Sequence, residues 1–460
     1  MAREVGGWIM ASVVAVAPPS RGLLRILGLA FGIAVVVGET VGVGIMRTSG
    51  PTAGRLGEPA LIYLVWGGVG IFVLMVANTL AELATAVPKA GGPYVYVRRA
   101  FGDYLGFVSG WGDYAIYVLA DAYLAIAASE FLAELWPALR GGESALATAL
   151  IVLFAAFNSL GVRASSAAQQ LLSLLKVLML VALVIGAFAH SALPAHPVQA
   201  TAAAARGAGF AAIVVSIQTV LEVYGGFNSA CYFSEETTNP DRTLPRALLY
   251  GVVMIVAIYL AVNAALLHVL SPGELAASKL AAADALAKLY GPPARVAVAV
   301  LALVATLSVL NVCMLLAPRV LYGMGRDGLF VSSGTYVTRH GVPLAGMWLS
   351  AAGAIVIANV GGFDTLYTAT AFLNACGFLL CGAALFVLRR REPDLRRPYR
   401  AFGYPWIPGL ALAVSAAMLV AFVLGNTRPS LMAIAVVAVT YPLFRLIRRK
   451  HRRPAGIGEH

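Results

Sequence analysis

Two glycine-rich stretches each place a carboxylate inside otherwise apolar sequence. The first is Gly38-Glu39-Thr40-Val41-Gly42-Val43-Gly44, and the second is Glu222-Val223-Tyr224-Gly225-Gly226-Phe227-Asn228. A helix interrupted at such a stretch exposes backbone N–H and C=O groups, each of which costs several kcal/mol in hydrocarbon unless a cavity or ligand satisfies it. A zwitterion satisfies both kinds. The amides of Val43 and Gly44, at the start of a half-helix, would face a carboxylate with the positive end of the helix dipole behind them. Carbonyls around Thr40, Glu222 and Gly225 would accept from an ammonium group, and the missing side chains at Gly42 and Gly44 let a ligand approach the backbone closely. Gly38 and Glu222 lie 184 residues apart. Five apolar spans separate the two starts, so the broken helices would run in opposite directions and meet at the membrane midplane, the pattern of an inverted repeat. Glycine-rich spans otherwise mark close helix packing. A matched pair at this spacing, each with a carboxylate, favours a binding site.

The elements that must position these stretches are membrane spans. The chain has 460 residues, 60% of them hydrophobic and 12% charged, with a mean hydropathy of +0.84, whereas a soluble domain carries about 25% charged residues. Apolar runs of roughly twenty residues, long enough for a bilayer core of about 30 Å, recur throughout. They predict twelve spans at 24–46, 60–86, 103–136, 145–162, 167–190, 208–233, 245–270, 292–325, 344–361, 366–389, 404–425 and 430–447. Short loops join them into one membrane domain. The apolar run 7–17 reads as an uncleaved cytoplasmic or interfacial segment, and the connections 190–207 and 271–291 are rich in Ala, Pro and Gly.

The charges fix orientation and remove other function classes. The formal charge is +12, which invites a nucleic-acid partner. The basic residues instead alternate between rich and poor loops: of 33 Lys and Arg, 24 fall on one side, eight on the other, and Lys176 lies inside a span. This bias puts both termini in the cytoplasm and predicts a lipid bilayer, not nucleic acid, as the macromolecular environment. The cysteines Cys231, Cys313, Cys376 and Cys381 lie within or at the ends of apolar spans, with neither zinc spacing nor a disulfide pattern. The six histidines are scattered, and no nucleophile–base pair or metal motif appears in the spans. No enzyme activity, metal or cofactor is expected.

Three further residues are candidates. Lys176 is a lone cation within Leu171–Val184, at a cost of about 2.5–3.5 kcal/mol on insertion scales. Its burial makes proton release and rebinding a coupling route, against the alternative of snorkelling to the cytoplasmic surface. Asp121 and Glu39 lie within spans and, with Glu222, suggest a negative pocket suited to a cationic side chain. A helix–helix hydrogen bond for Asp121 and a protonated or Lys-paired Glu39 are the structural alternatives. The tyrosines from Tyr94 to Tyr123 read mostly as interface belt and packing, with Tyr117 able to face the site.

Several motifs together resemble the amino acid–polyamine–organocation transporters, especially the L-type amino acid transporters and their bacterial relatives. They are Gly42-Val43-Gly44-Ile45, Pro88-Lys89-Ala90-Gly91-Gly92-Pro93-Tyr94 and Tyr224-Gly225-Gly226-Phe227-Asn228. Glu235-Glu236, Asn239-Pro240, Pro245-Arg246-Ala247, Arg319 to Gly328, Arg397-Pro398-Tyr399 and Gly403-Tyr404-Pro405 complete the set. The resemblance runs from about residue 24 to 425 and implies an all-α, LeuT-type fold with twelve transmembrane helices. It would divide into a cytoplasmic segment 1–23, inverted five-helix repeats at 24–190 and 208–389, two added helices at 390–448 and a basic tail at 449–460. It also implies that residues 42–44 bind a carboxylate and that the carbonyls of Glu222 and Gly225 hold an amine. Asn228 matches a polar residue beside that amine. Lys176 would stand where sodium-driven relatives bind their ion. The family usually has an aromatic residue at Glu222, so cation-π capping of the substrate is in doubt, and Asn228 stands where arginine–agmatine exchangers carry glutamate. Heavy-chain pairing in the animal L-type transporters uses a cysteine between the third and fourth spans. Residues 137–145 contain none, so no disulfide-linked heavy chain is expected.

The resulting expectation is a secondary active amino acid transporter of the cell membrane (the inner membrane of a bacterium), working by alternating access as an exchanger (antiporter) or proton-coupled symporter. A transporter of cationic amines, polyamine or ethanolamine-like, is the alternative, followed by a non-transporting amino acid sensor.

Overall fold

A computed structural model describes residues 23–189, 208–278, 280–330, 335–360, 363–425 and 427–452. The expected N-terminal segment and the connection 190–207 lie outside these residues, apart from Leu23, as does the tail beyond residue 452. Among the described residues the structure is helical, with one isolated parallel bridge between Leu27 and Thr237. Seven helices are long and apolar enough to cross a membrane: Pro59–Ala86, Asp103–Leu135, Val162–Phe188, Pro240–Val269, Pro293–Arg326, Thr370–Arg391 and Trp406–Gly425. A bent pair, Leu29–Thr40 with Gly44–Leu56, makes an eighth candidate. Shorter apolar helices occupy Glu143–Ser159, Phe210–Val223, Leu344–Val360 and Val437–Ile447.

We label the elements that bear on the site α1 (Leu29–Thr40), α2 (Gly44–Leu56), α3 (Pro59–Ala86), α4 (Tyr94–Phe101), α5 (Asp103–Leu135), α6 (Glu143–Ser159), α7 (Val162–Phe188), α8 (Phe210–Val223) and α9 (Pro240–Val269). They continue as α10 (Pro272–Ala277), α11 (Ala281–Tyr290), α12 (Pro293–Arg326), α13 (Leu344–Val360) and α14 (Phe363–Arg391). The first break follows the glycines. The α1 ladder ends with Val41 N–H donating to Val37, Gly42 donates to Thr40, and α2 departs at 41°. The second is tighter: Tyr224 donates to Val220, Gly225 donates to Glu222, and a short 3-10 turn follows at Ser229–Phe233.

The first span runs ten residues past the expected end at 46, because α2 continues to Leu56. Its Thr48, Ser49 and Thr52 are buried. They face other helices instead of lipid, so their polarity does not end the helix. The connection 271–291, rich in Ala, Pro and Gly, folds as α10 and α11. A capping box starts α10, in which the Ser271 hydroxyl accepts from Glu274 N and the Glu274 carboxylate accepts from Ser271 N. Its C-terminal end packs so closely on α2 that a Cβ at Gly50 would collide with the Ser278 carbonyl. Tyr94 and Tyr96 are fully buried on the short α4, so they pack against helices and do not sit at an interface.

Two polar clamps hold the end of the molecule that the charge bias assigns to the cytoplasm. Glu82, at the end of α3, receives Arg389 Nε at 2.8 Å, Arg397 Nε at 3.2 Å and Ala401 N at 2.6 Å. Asn78, one turn earlier, accepts from Tyr399 Oη at 2.6 Å and from Phe402 N at 3.0 Å. The Arg397-Pro398-Tyr399 motif therefore fastens the segment after α14 to α3. The second clamp is fully buried. Arg319 of α12 reaches Glu236 Oε1 at 3.2 Å and Oε2 at 3.4 Å, and donates to the Leu315 carbonyl at 3.0 Å. The backbone of Glu236 also accepts from Leu27 N at 2.9 Å, so this pair anchors the start of α1 to the segment after the second break.

Removing one member of a buried pair strands the other charge, at about 3–5 kcal/mol, whereas an apolar replacement of both is close to neutral. Glu236→Met alone should therefore lower the melting temperature in detergent strongly. The double variant Glu236→Met/Arg319→Met should recover most of that loss in the same melt.

Candidate functional site

The two breaks meet. Tyr259 of α9 brings its hydroxyl within 2.6 Å of the Thr40 carbonyl and 2.8 Å of the Val223 carbonyl, so its one proton is shared between the two interrupted backbones. On the other side, a Cβ at Gly226 would lie 2.5 Å from Glu39 Cγ, and Gly226 has φ +95°. Only glycine allows that backbone conformation together with that contact.

A cavity of about 640 Å³, its mouth included, opens at this junction. The first break contributes Glu39, Thr40, Gly42, Val43 and Gly44, and the second contributes Glu222, Gly225, Gly226 and Asn228. Tyr117 and Tyr123 of α5, Val309 and Cys313 of α12, and Asn374 of α14 line the remainder. Val43 and Gly44 stand at the start of α2, where helix geometry leaves amides without intrahelical acceptors. Gly42 packs tightly, since a Cβ there would sit 3.0 Å from Val309.

The three acids of the predicted negative pocket have different surroundings. Glu222 is held by two neutral donors on α14: Thr370 Oγ1 donates to Oε1 at 2.5 Å and Asn374 Nδ2 to Oε2 at 3.2 Å. Glu39 lines the cavity. Its Oε2 has no hydrogen-bond partner among the described residues, with Ser229 beside it short of regular bonding geometry. Asp121 is fully buried on α5, and neither carboxylate oxygen has a hydrogen-bond partner among the described residues. It is not part of the cavity wall but lies between wall residues of its helix.

Lys176 is also outside the cavity, behind the first break. It is fully buried, and Nζ donates to the Gly38 carbonyl at 2.7 Å. The ammonium does not snorkel. It satisfies a carbonyl in the last turn of α1, where unwinding begins. A polar strip continues along α7: Ser173 Oγ donates to the Ala34 carbonyl at 2.8 Å, and Gln169 Nε2 donates to Ser173 at 3.0 Å and to Ser308 at 3.2 Å. Asn311 Nδ2 donates to Gln169 Oε1 at 2.9 Å, and Asn158 donates to Asn311 at 3.1 Å. A Cβ at Gly38 would collide with Gln169 and Ser173, so this glycine lets the strip reach the backbone.

Sequence reasoning missed Tyr259, Thr370, Asn374 and the strip. The strip had a readable signal, because Gln169, Ser173 and Lys176 recur at helical spacing on one face of an apolar span. Tyr259 had none, since a tyrosine in an apolar helix usually means packing. Among the described residues, no three His, Cys, Asp or Glu side chains are grouped to hold a metal ion.

The family model for amino acid permeases matches residues 27–442. Among curated relatives, the serine/threonine exchanger SteT of Bacillus subtilis is 27% identical over 412 residues, covering 88% of this chain and 92% of the relative. The b(0,+)-type amino acid transporter 1 of Oryctolagus cuniculus is 26% identical over 395 residues, covering 83% and 80%. The branched-chain amino acid permease BcaP of Bacillus subtilis is 24% identical over 424 residues, covering 87% and 88%. With its many apolar helices and a match over nearly its whole length to transporters, not enzymes, this chain belongs to the amino acid permease family of the amino acid–polyamine–organocation superfamily.

Proposed function

We propose that the protein carries amino acids across the cell membrane by alternating access, exchanging one for another or coupling uptake to protons. The convergence of two helix breaks on one cavity, bridged by Tyr259, carries this reading. In it, the Val43 and Gly44 amides take the substrate carboxylate, the carbonyls of Glu222 and Gly225 take the amine with Asn228 beside it, and the Thr40 carbonyl, which already accepts from Tyr259 and Gly42, lines the site beside them. Seven long spans and the bent pair are apolar and long enough to cross, and counting the four shorter apolar helices as crossings as well would make twelve. These fit a LeuT-type arrangement of repeats at 24–190 and 208–389 with two helices added at 390–448. Both termini are then cytoplasmic, as the charge bias requires. No cysteine lies in 137–145, which leaves no thiol there for a disulfide-linked heavy chain.

The exchanger among the relatives supports exchange. Lys176 disfavours sodium, because its amine already occupies the Gly38 carbonyl at the first break, and release and rebinding of its proton would be the proton route. The test is counterflow in proteoliposomes. Vesicles preloaded with unlabelled serine or leucine should accumulate the labelled amino acid faster than empty vesicles, with no sodium gradient. Binding without counterflow or net uptake would instead identify a sensor.

A further inference from the structure

The structure assigns the Tyr232 ring as the plug that closes the cavity toward the cytoplasmic end, held in place by Glu235 through the loop between α3 and α4. This rests on the transport reading above and names the side chain that must move for a substrate to leave on that side.

Tyr232 belongs to the 3-10 turn Ser229–Phe233 after the second break. It therefore lies on the stretch of chain that leads from the cavity to the start of α9, the end the charge bias assigns to the cytoplasm. Its side chain is fully buried. Toward the cavity it meets Tyr117, a wall residue, with the two rings edge to face and their centroids 5.3 Å apart, a favoured aromatic arrangement. On its other side it meets the loop. A Cβ at Gly92 would lie 2.3 Å from both Cδ1 and Cε1 of Tyr232, and Gly92 has φ +77°. Only glycine combines that backbone conformation with so close an approach, so the Pro88–Tyr94 motif lays bare backbone against the ring.

Polar contacts pin the loop there. Glu235, three residues after Tyr232, accepts from Ala90 N at 3.0 Å and from Arg326 Nη1 at 2.8 Å. It thereby ties the segment after the second break to the loop and to the end of α12. Just beyond α12, Asp327 accepts from Tyr94 Oη at 3.1 Å and pairs with Arg98 at 2.8 Å. The Arg326 and Glu235 side chains are 32% and 29% exposed. Water reaches this pair, and an ion pair in contact with water is weak enough to open and reform. Freed of Glu235, the loop can lift from the ring and the ring can turn aside.

Cys313 lines the cavity and reports on the path to it. Inside-out vesicles holding the full-length protein are treated with a membrane-impermeant thiol reagent, and modification of Cys313 is followed by peptide mass spectrometry. Tyr232→Ala should speed modification from this face at least tenfold over the wild type, with no rise from the opposite face in right-side-out vesicles. Tyr232→Phe, which keeps the ring, should match the wild type. Glu235→Gln should give a smaller rise, at least threefold, and provides the readout should Tyr232→Ala fail to fold. An unchanged rate in either folded variant, an equal rise from both faces, or opening by Tyr232→Phe would overturn the plug and leave amino acid transport standing. Counterflow by the wild type is scored separately, and its absence would overturn the transport reading and the gate with it.

Discussion

Replacing Lys176 by methionine should reduce transport in proteoliposomes by at least tenfold, a loss of about 1.4 kcal/mol or more. Methionine keeps the length and apolar bulk of the side chain but has no ammonium. The Gly38 carbonyl, now bonded at 2.7 Å, would lose its donor in a fully buried place, and an unsatisfied buried acceptor costs about 1–3 kcal/mol. The Ser173 bond to Ala34 and the Gln169 contacts would remain, so α1 should still fold. What changes is the energy difference between states in which the first break is held and released, the quantity that alternating access depends on. Uptake and pH dependence both equal to the wild type would remove Lys176 from the coupling role.

Gly226→Ala should weaken substrate binding by more than tenfold while leaving the helices intact. At φ +95° an L-residue is strained by about 1–2 kcal/mol. The new methyl would also lie 2.5 Å from Glu39 Cγ and 2.8 Å from Cδ. The two breaks would have to separate or Glu39 swing into the cavity, and either movement spoils a cradle whose tolerance is about 0.5 Å. Gly112→Ala is the matched control, because nothing lies within 4 Å of its added Cβ. Isothermal titration with the preferred amino acid should show more than tenfold weaker binding for Gly226→Ala and no change for Gly112→Ala.

What could be read from the sequence divides along physical lines. The breaks at 38–44 and 222–228 were legible because a carboxylate among glycines in an apolar run is costly in hydrocarbon unless it serves a cavity or a ligand. The span predicted at 60–86 is found at Pro59–Ala86, since hydrocarbon selects apolar length directly. The extension of α2 to Leu56 was not legible, because Thr48, Ser49 and Thr52 resemble loop residues until their burial is known. Nor were the partners of Glu222. Thr370 and Asn374 lie about 150 residues away, and composition cannot report which helix faces which. The negative pocket suggested by Glu39, Asp121 and Glu222 divides in the structure into one satisfied carboxylate and two with unpartnered oxygens.

The central claim is that the two breaks recognise the two ends of one zwitterion through backbone groups. It is tested most directly by measuring binding of an amino acid beside its decarboxylated amine and its N-acetyl derivative, on the same purified protein. The account predicts that the intact amino acid binds and that loss of either end weakens binding by at least a hundredfold, about 2.7 kcal/mol. An amine without a carboxylate that binds as tightly as its parent amino acid would contradict it, leaving the Val43–Gly44 amides without a role in recognition.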